Sequence, residues 1–274
     1  MNSVTISALE NIARAIRRST VEAIGHVGVG HIGGSLSIAD VLTVLYFREM
    51  RIDSTNSKME GRDRFILSKG HAGPALYATL AEKGYFSKDM LGTMNTLNTK
   101  LPSHCDMNRT PGIDMTTGSL GQGFSCAVGV AVGSKIKGDG ALIYTLIGDG
   151  ESQEGQIWEA AMFAAQMKLD NLIAFTDYNR KQIDGTTDEI NSLEDIAGKW
   201  HSFGWHTKKV DGHDMKAIIQ AIQRAKDRKG KPSMIILETT KGKGVSFVEK
   251  AGVANHNMTL TREQVETALE ELNE

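Results

Sequence analysis

The chain has 274 residues, of which 40% are hydrophobic, and its 31 basic side chains nearly balance 33 acidic ones, for a net charge of -2 at pH 7. This length is enough for one large α/β core. The charge balance lacks the basic excess of most nucleic-acid-binding proteins, so we expect no nucleic-acid partner.

Cysteine usage and the N-terminal residues indicate the cellular compartment. Cys105 and Cys126 do not form a CxxC pair, which argues against a zinc site and against the disulfide framework of a secreted protein. The N-terminal segment lacks the uninterrupted apolar run of a signal peptide, and no stretch approaches the ~18 apolar residues of a membrane span. We therefore predict a cytoplasmic protein without a membrane segment.

In chain order, the first half is predicted to alternate helices with glycine-rich turns. The predicted elements are a helix over 4–25 broken at Gly25 and Gly28, a buried helix over 37–47, a short strand of the inner kind over 64–68, a helix over 74–83 and a tightly packed helix over 121–137. Residues 87–117 show weak periodicity, which predicts a long loop region with one short helix. Such a loop inside a compact domain usually has a function.

The second half alternates strands with helices. Strands are predicted over 141–147, 171–176, 206–210 and 234–238, with helices near 153–168, 191–203 and 214–228 between them. A capping box of Thr261 and Gln264 starts a last helix over about 261–273. Because this alternation is typical of βαβ units, we predict one three-layer α/β/α domain over residues 1–274 with a mostly parallel sheet.

Two polar residues follow neighbouring strands of this predicted sheet. Gly148-Asp149-Gly150 ends the strand over 141–147, and Asn179 lies just past the strand over 171–176. One crossover helix joins these strands, so both tips should lie at the carboxyl edge of the sheet, where such folds bind ligands. The tripeptide alone is common in ordinary turns. A carboxylate beside an amide oxygen, however, suits a hard cation that also binds phosphate oxygens.

Residues 148–179 carry a family resemblance. Their sequence, GDGESQEGQIWEAAMFAAQMKLDNLIAFTDYN, resembles the thiamine diphosphate motif, which opens with GDG and closes on Asn after one crossover. The following KQIDG, together with Trp158-Glu159-Ala160, resembles transketolases in particular. The resemblance implies a thiamine diphosphate-binding fold and a metal ion, Mg²⁺, which Ca²⁺ or Mn²⁺ could replace. The metal ligands would be Asp149, Asn179 and the backbone carbonyl of Lys181.

Half of the eight histidines lie in glycine-rich or loop segments, namely His31, His71, His104 and His256. Any one of them alone is more often a capping or packing residue, but four in loops near strand ends indicate convergence on one site. The other four, His26, His201, His206 and His213, are interpreted as structural or surface residues. His213 is expected in a turn before a helix cap.

The segments around the first four histidines also resemble transketolases. They are VGHIGGSLS, SKGHAGPALYA, LPSHCDMNRTPGIDMTTGSLGQGFSCAVGVA and TTKGKGVSFVEKAGVANHN. The resemblance implies that His31 and His104 face the substrate, that His71 and His256 bind the diphosphate, and that His256 also lies near the substrate. It further implies that Gly118, Ser119 and Leu120 line the cofactor, with Gly150 beside the diphosphate. Ile32 and Cys105-Asp106 stand where the family has Pro and Pro-Glu, so substrate contacts should differ more than cofactor contacts.

The resemblance also implies a missing partner. Glu154 matches a family residue that hydrogen-bonds the glutamate that activates the coenzyme. In the family, that activating glutamate lies on a separate pyrimidine-binding domain. Without the resemblance, Glu154 would be interpreted as a glutamate at a helix N-terminus that interacts with the helix dipole. The match covers all 274 residues but only the first of three family domains, and the chain ends fit a subunit boundary. We therefore predict a companion chain with the pyrimidine-binding and C-terminal domains, in an α₂β₂ assembly.

The reaction implied is the transfer of a two-carbon ketol unit from a ketose to an aldose. A sugar phosphate is the default substrate, and a sulfonated or branched sugar is the alternative. Rival hypotheses are a deoxyxylulose-phosphate synthase-like or 2-oxo-acid-decarboxylating subunit, a nicotinamide-dependent dehydrogenase and a non-catalytic scaffold. The dehydrogenase is disfavoured because the glycines over 25–30 follow a helix rather than a strand.

Overall fold

The computed structural model describes residues 4–273; residues 1–3 and residue 274 of the predicted domain lie outside the described residues. Its strands are β1 (Val29–Gly30), β2 (Arg64–Leu67), β3 (Ile143–Gly148), β4 (Leu172–Tyr178), β5 (His206–Asp211), β6 (Ser233–Glu238) and β7 (Met258–Thr259). A central sheet has the order β2-β3-β4-β6-β5, and all of its neighbouring strands are parallel. All five predicted strands are therefore confirmed.

The α-helices of the described residues fall close to the predicted positions. They are α1 (Ile6–Val27), α2 (Ile32–Leu36), α3 (Ala39–Val44), α4 (Gly73–Lys83), α5 (Gln122–Lys137), α6 (Gly155–Gln166), α7 (Thr187–Asn191), α8 (Ile196–Ser202), α9 (Met215–Asp227), α10 (Ser246–Lys250) and α11 (Arg262–Glu271). The Thr261–Gln264 capping box that starts α11 is present as predicted. None of these helices is both long and apolar enough to cross a membrane.

Helices cover both faces of the central sheet because the strand side chains alternate between two apolar clusters. On one face, residues such as Leu67, Leu146 and Phe175 pack with α1, α3, α4, α9 and α11. On the other face, Ile66 and Ile147 pack with α5, α6 and α8. The three-layer α/β/α architecture predicted from the sequence is thereby confirmed.

Some predicted boundaries are wrong for identifiable reasons. Helix α1 continues through Gly25 and ends only at Gly28, whose φ of 85° gives the left-handed C-cap. The helix predicted near 191–203 corresponds to α8, which begins only after its cap Asp195, and a separate helix that was not predicted, α7, is capped by Thr186. The segment predicted near 153–168 begins instead with a 3₁₀ turn, Gly150–Gln153, followed by α6.

The region that follows His31 also differs from the prediction. The single helix expected over 37–47 is replaced by α2, α3 and a π-helical turn, Leu45–Glu49. Glycines argue against a helix at 33–34 by propensity. Glycine is nevertheless needed at position 33 of α2, because a side chain there would collide with Asn255.

Strand β2 lies at an edge of the sheet, so its prediction as an inner strand is wrong. The residues Phe65, Ile66 and Leu67 are nevertheless buried, which explains why the segment has the apolar sequence of an inner strand. The long region over 87–117 contains one 3₁₀ helix, Lys88–Thr93, as predicted. The antiparallel pair of β1 with β7 was not predicted.

Candidate functional site

A cleft of about 380 Å³ opens beyond the carboxyl ends of β2, β3 and β4. This is the edge where open α/β sheets bind their ligands. The cleft brings together nearly all of the residues singled out in the sequence: His31, His71, His104, Gly118, Leu120, Asp149, Gly150, Glu154, Asn179, Lys181 and His256. Ser119 is the exception, because it is exposed and does not line the cleft.

The register of the sheet places Asp149 beside Asn179. Gly148 at the end of β3 pairs with Asp177 near the end of β4, so the next residues leave the sheet side by side. Oδ1 of Asp149 accepts a hydrogen bond from its neighbour Gly150 N at 2.8 Å. The amide oxygen of Asn179 accepts one from Lys181 N at 3.1 Å. Both side chains are buried at the floor of the cleft.

The electrostatics of Asp149 favour a bound cation. Burial, with a further contribution from the nearby Asp177 carboxylate, raises the pKa of Asp149 to about 7, and hydrogen bonds from backbone N–H groups offset part of this rise. An ionised carboxylate in such a place is stabilised by a positive charge next to it. A divalent cation held by this side chain would supply that charge.

The donor set fits a hard divalent cation. It comprises one carboxylate, one amide oxygen and one backbone carbonyl, and oxygen atoms are what Mg²⁺ prefers. The carbonyl of Lys181 at present accepts a hydrogen bond from Lys241 Nζ at 3.2 Å, so a cation would compete with that ammonium. Within residues 4–273 no group of three His, Cys, Asp or Glu side chains is arranged to hold a metal, which leaves this mixed set of oxygens as the candidate.

Four imidazole rings converge in the same cleft. The ring centroid of His31 lies 5.3 Å from that of His71, 5.9 Å from that of His104 and 5.4 Å from that of His256. His71 and His256 lie 4.9 Å apart. The segments that carry these rings are far apart in sequence and meet only in the folded chain.

Burial keeps most of these rings neutral. Desolvation, aided by Lys69 and Lys241, lowers the pKa of His71 well below its ordinary value. The pKa of His31 is also lowered, first by burial and then by His104 and the lysines. Neutral imidazoles can donate from one nitrogen and accept at the other, which suits contacts with phosphate and hydroxyl oxygens.

His256 has a defined tautomer. Lys241 Nζ lies 3.1 Å from Nδ1 of His256, and an ammonium can only donate, so Nδ1 accepts and the ring proton resides on Nε2. Burial, followed by the charge of Lys241, lowers the pKa of His256 to about 3. The ring therefore stays neutral at physiological pH.

Sequence reasoning missed two lysines that line the cleft. Lys69 and Lys241 are both buried there. Lys69 forms an ion pair of 2.6 Å with Asp177. Burial, with repulsion from Lys69, lowers the pKa of Lys241 to about 8. The available signal was a lysine directly before a glycine in segments already singled out, SKGH and TTKGKG.

The two glutamates at the start of the 150–166 segment have different surroundings. Glu154, the predicted site residue, is exposed at the rim of the cleft. Glu151 is buried and accepts hydrogen bonds from Ser68 Oγ at 2.5 Å, Gly121 N at 2.8 Å and Gly148 N at 2.9 Å. Glu151 thus joins three segments that border the cleft, a role that no local sequence signal indicated.

The remaining histidines lie outside the cleft, but His213 is connected to it. Its Nδ1 lies 2.7 Å from Asp40 Oδ2, and its Nε2 accepts a hydrogen bond from Thr240 N at 2.9 Å. Asp214, the next residue, caps α9 as predicted. His213 therefore anchors the backbone immediately before Lys241.

A comparison with protein families matches residues 8–273 of the chain to the family described as "Transketolase, thiamine diphosphate binding domain". The match includes every strand and helix described above except the first two residues of α1.

Similar curated proteins include both short subunits and longer chains. The "6-deoxy-6-sulfo-D-fructose transketolase subunit SqwG" of Clostridium sp. (strain MSTE9) is 60% identical over 96% of this chain and 96% of its own length. One of the subunits of an apulose-4-phosphate transketolase, from Phocaeicola vulgatus, is 43% identical over 98% of this chain and 95% of its own length. Human transketolase is 35% identical over 97% of this chain but covers only 42% of its own length.

Solved structures of longer transketolases also match nearly the whole of this chain. A transketolase from Pichia stipitis in complex with sedoheptulose-7-phosphate superposes with a TM-score of 0.91 at 32% identity, over 97% of this chain and 40% of that chain. Transketolase from Leishmania mexicana gives a TM-score of 0.90 at 31% identity, over 97% and 41%. The present chain thus spans about 40% of the length of these transketolases.

Proposed function

The chain belongs to the transketolase family, and on that premise we propose that it binds thiamine diphosphate with Mg²⁺ as one subunit of a two-chain transketolase. Its relatives carry the names of enzymes that transfer ketol units. We take the whole of residues 1–274 as one thiamine diphosphate-binding domain, working in the cytoplasm.

The metal site is the part of this proposal that rests most directly on geometry. The carrying observation is that Asp149 and Asn179 leave neighbouring strand tips and line one cleft. With the carbonyl of Lys181 they offer three oxygens to Mg²⁺, and Ca²⁺ or Mn²⁺ could take its place. The cation would neutralise the carboxylate and hold the diphosphate of the coenzyme against the sheet edge.

Around the metal, other residues of the cleft would bind the coenzyme. The neutral rings of His71 and His256 donate hydrogen bonds to diphosphate oxygens, and Lys241 contributes a positive charge. Gly150 would allow the coenzyme to approach the backbone closely. A side chain at this position would also lie only 3.1 Å from Gln182. Gly118 and Leu120 line the same cleft and would contact the coenzyme from its wall. Thiamine diphosphate supplies the nucleophilic carbon that takes up and hands on the two-carbon unit.

The catalytic histidines would act on substrate oxygens. His31, His104 and His256 are close enough to share a small polar substrate, with His31 in the centre of the group. Imidazoles can move protons to and from hydroxyl groups near neutral pH. We assign them to the hydroxyl and carbonyl oxygens of the donor and acceptor sugars.

For the substrate we propose a ketose with an anionic group at its far end. The relative at 60% identity is named for 6-deoxy-6-sulfo-D-fructose, whereas those named for apulose-4-phosphate share 43% or less. A sulfonated sugar is therefore our first choice, ahead of an ordinary or branched sugar phosphate. No residue of this cleft is assigned to binding the anionic end of the sugar. We propose that the residues that bind it lie on the companion subunit.

A companion subunit would complete the site. Two relatives of nearly equal length are named subunits, and the longer transketolases contain more than twice this chain. Glu154 is exposed at the rim, where it can meet the activating glutamate of a pyrimidine-binding domain. We propose a companion with pyrimidine-binding and C-terminal domains, in an α₂β₂ assembly.

The test is reconstitution. The purified chain is mixed with the product of the neighbouring companion gene, thiamine diphosphate and Mg²⁺, and is assayed with sulfonated, phosphorylated and branched ketoses and a common aldose. We expect ketol transfer by the pair and none by either chain alone. Full turnover by the isolated chain would contradict the split site, and release of CO₂ from pyruvate would identify a decarboxylating enzyme instead.

A further inference from the structure

Asp177, near the end of β4, has so far appeared only as the ion-pair partner of Lys69 and as a charge near Asp149. It is fully buried and does not line the cleft. Four side chains nevertheless donate hydrogen bonds to its carboxylate. Oδ2 accepts from Lys69 Nζ at 2.6 Å, from Ser37 Oγ at 2.8 Å and from Asn179 Nδ2 at 2.9 Å, and Oδ1 accepts from the hydroxyl of Thr239.

The contact with Asn179 fixes the direction of that amide. A carboxylate can only accept, so it must face the NH₂ group of Asn179 and not its oxygen. The oxygen is then at the other side of the amide, where it accepts from Lys181 N at 3.1 Å. A flipped amide would place two oxygens against each other in a buried position and would turn a second N–H group towards the N–H of Lys181.

The remaining donors hold Asp177 itself in place. Lys69 pairs with the carboxylate at 2.6 Å and the hydroxyl groups of Ser37 and Thr239 donate to it, so its surroundings consist of donors and the group acts as an acceptor. These donors come from the end of α2, from the segment after β2 and from the segment after β6. The carboxylate is thus held from three sides.

We propose that Asp177 is a positioning residue of the metal site, which holds the Asn179 amide with its oxygen available to a divalent cation. This inference rests on the metal site proposed above. Asp177 itself does not line the cleft, so it would not be a ligand of the metal or of the coenzyme. Residues of this kind, which orient a ligand from behind, typically affect metal affinity by 10–100-fold, roughly.

The test is Mn²⁺ binding to the chain assembled with its companion in saturating thiamine diphosphate, followed by electron paramagnetic resonance. Asp177→Asn can no longer enforce the amide direction, and we expect the Mn²⁺ dissociation constant to rise by roughly 10–100-fold. Ser37→Ala is the matched control. It removes one of the four donors to the carboxylate but leaves the contact between Asp177 and Asn179, so the dissociation constant should change far less than in Asp177→Asn.

A pair of reciprocal variants separates orientation from general damage to the fold. Asn179→Asp places a carboxylate against Asp177, and we expect weaker Mn²⁺ binding despite the added negative charge. The double variant D177N/N179D restores one donor and one acceptor in reversed order, and we expect affinity to recover towards that of the wild type. This comparison remains available if Asp177→Asn alone does not fold.

The outcomes of these experiments test the proposed function and the proposed role of Asp177 separately. If the wild-type assembly binds no Mn²⁺ with thiamine diphosphate, the proposed function itself fails. The metal site is supported if the wild type binds Mn²⁺ and Asn179→Ala does not. If Asp177→Asn and Asn179→Asp then both bind Mn²⁺ as tightly as the wild type, the proposed role of Asp177 is wrong. Loss of thermal stability in Asp177→Asn with an unchanged dissociation constant would also overturn it.

Discussion

The backbone nitrogen of Arg180 donates a hydrogen bond of 2.5 Å to Oδ2 of Asp149. This bond ties the residue after Asn179 to the tip of the neighbouring strand β3. The two proposed metal ligands are therefore placed by the register of a parallel sheet and not by free loops. Because rigid elements hold site residues more accurately than loops do, we expect their spacing to be set before any cofactor binds.

Replacing Asp149 should remove the metal-dependent activity. Asp149→Ala deletes the only carboxylate of the proposed donor set, so the loss in thiamine diphosphate affinity should exceed the roughly 10–100-fold typical of an outer partner. The measurement is ketol transfer by the assembled pair across a range of Mg²⁺ and coenzyme concentrations. Asp188→Ala, at an exposed position in α7, is the control and should behave like the wild type. Equal coenzyme affinity in both variants would contradict the site.

Lys241 should make coenzyme binding depend on pH. Its pKa is lowered to about 8, so the free protein carries the ammonium below that pH and loses it above. Diphosphate affinity should therefore fall as the pH rises past this value, by up to about tenfold per pH unit. Isothermal titration calorimetry of the assembled pair from pH 7 to pH 9.5, roughly one unit below and one and a half units above the midpoint, measures this.

Two lysine variants provide the comparison for that titration. Lys241→Met should bind the coenzyme more weakly, by about 1.5–3 kcal/mol for a lost charged hydrogen bond, and should show a flat pH profile in this range. Lys243→Met, two residues further and outside the cleft, should keep both the affinity and the pH dependence of the wild type. A wild-type profile that is already flat would exclude this role of Lys241.

His213 should influence coenzyme binding without touching the coenzyme. His213→Ala removes the acceptor for Thr240 N and so loosens the backbone that carries Lys241. We expect coenzyme affinity to fall by about 1 kcal/mol, the typical net value of one hydrogen bond. His201→Ala, at an exposed position near the end of α8, should leave it unchanged. Identical affinities in the two variants would show that the Thr240 anchor is irrelevant.

Glu151 should contribute mainly to stability. Glu151→Gln turns an NH₂ group towards donors whose hydrogen bonds the carboxylate accepts in the wild type. A buried donor left without an acceptor lowers the free energy of unfolding by about 1–3 kcal/mol. Thermal unfolding of the purified chain should show a lower midpoint than for the wild type. Glu159→Gln, at an exposed position on α6, should unfold like the wild type. A variant as stable as the wild type would mean that Gly121 and Gly148 do not need this acceptor.

The sequence allowed prediction of those features that depend on neighbouring residues. Asp149 and Asn179 could be placed together because one crossover helix joins their strands, and parallel strands align their tips. The Thr261 capping box likewise depends on residues three apart. The three-layer architecture followed from the alternation of strands and helices.

Features that depend on tertiary contacts were not predictable in the same way. Lys69 and Asp177 form a buried ion pair although 108 residues separate them, and neither residue type indicates burial by itself. Gly33 lies so close to Asn255, 222 residues further along the chain, that no larger residue fits within α2 at that position. The pairing of β1 with β7 joins the two ends of the domain.

The most direct test of the central claim is a crystal structure of the assembled pair grown with thiamine diphosphate and Mn²⁺, with the metal located by its anomalous scattering. We predict one peak per active site within coordination distance of an Asp149 carboxylate oxygen, the amide oxygen of Asn179, the carbonyl of Lys181 and the diphosphate. A diphosphate bound without metal at these atoms, or a metal peak elsewhere in the cleft, would contradict the assignment of this sheet edge as the cofactor site.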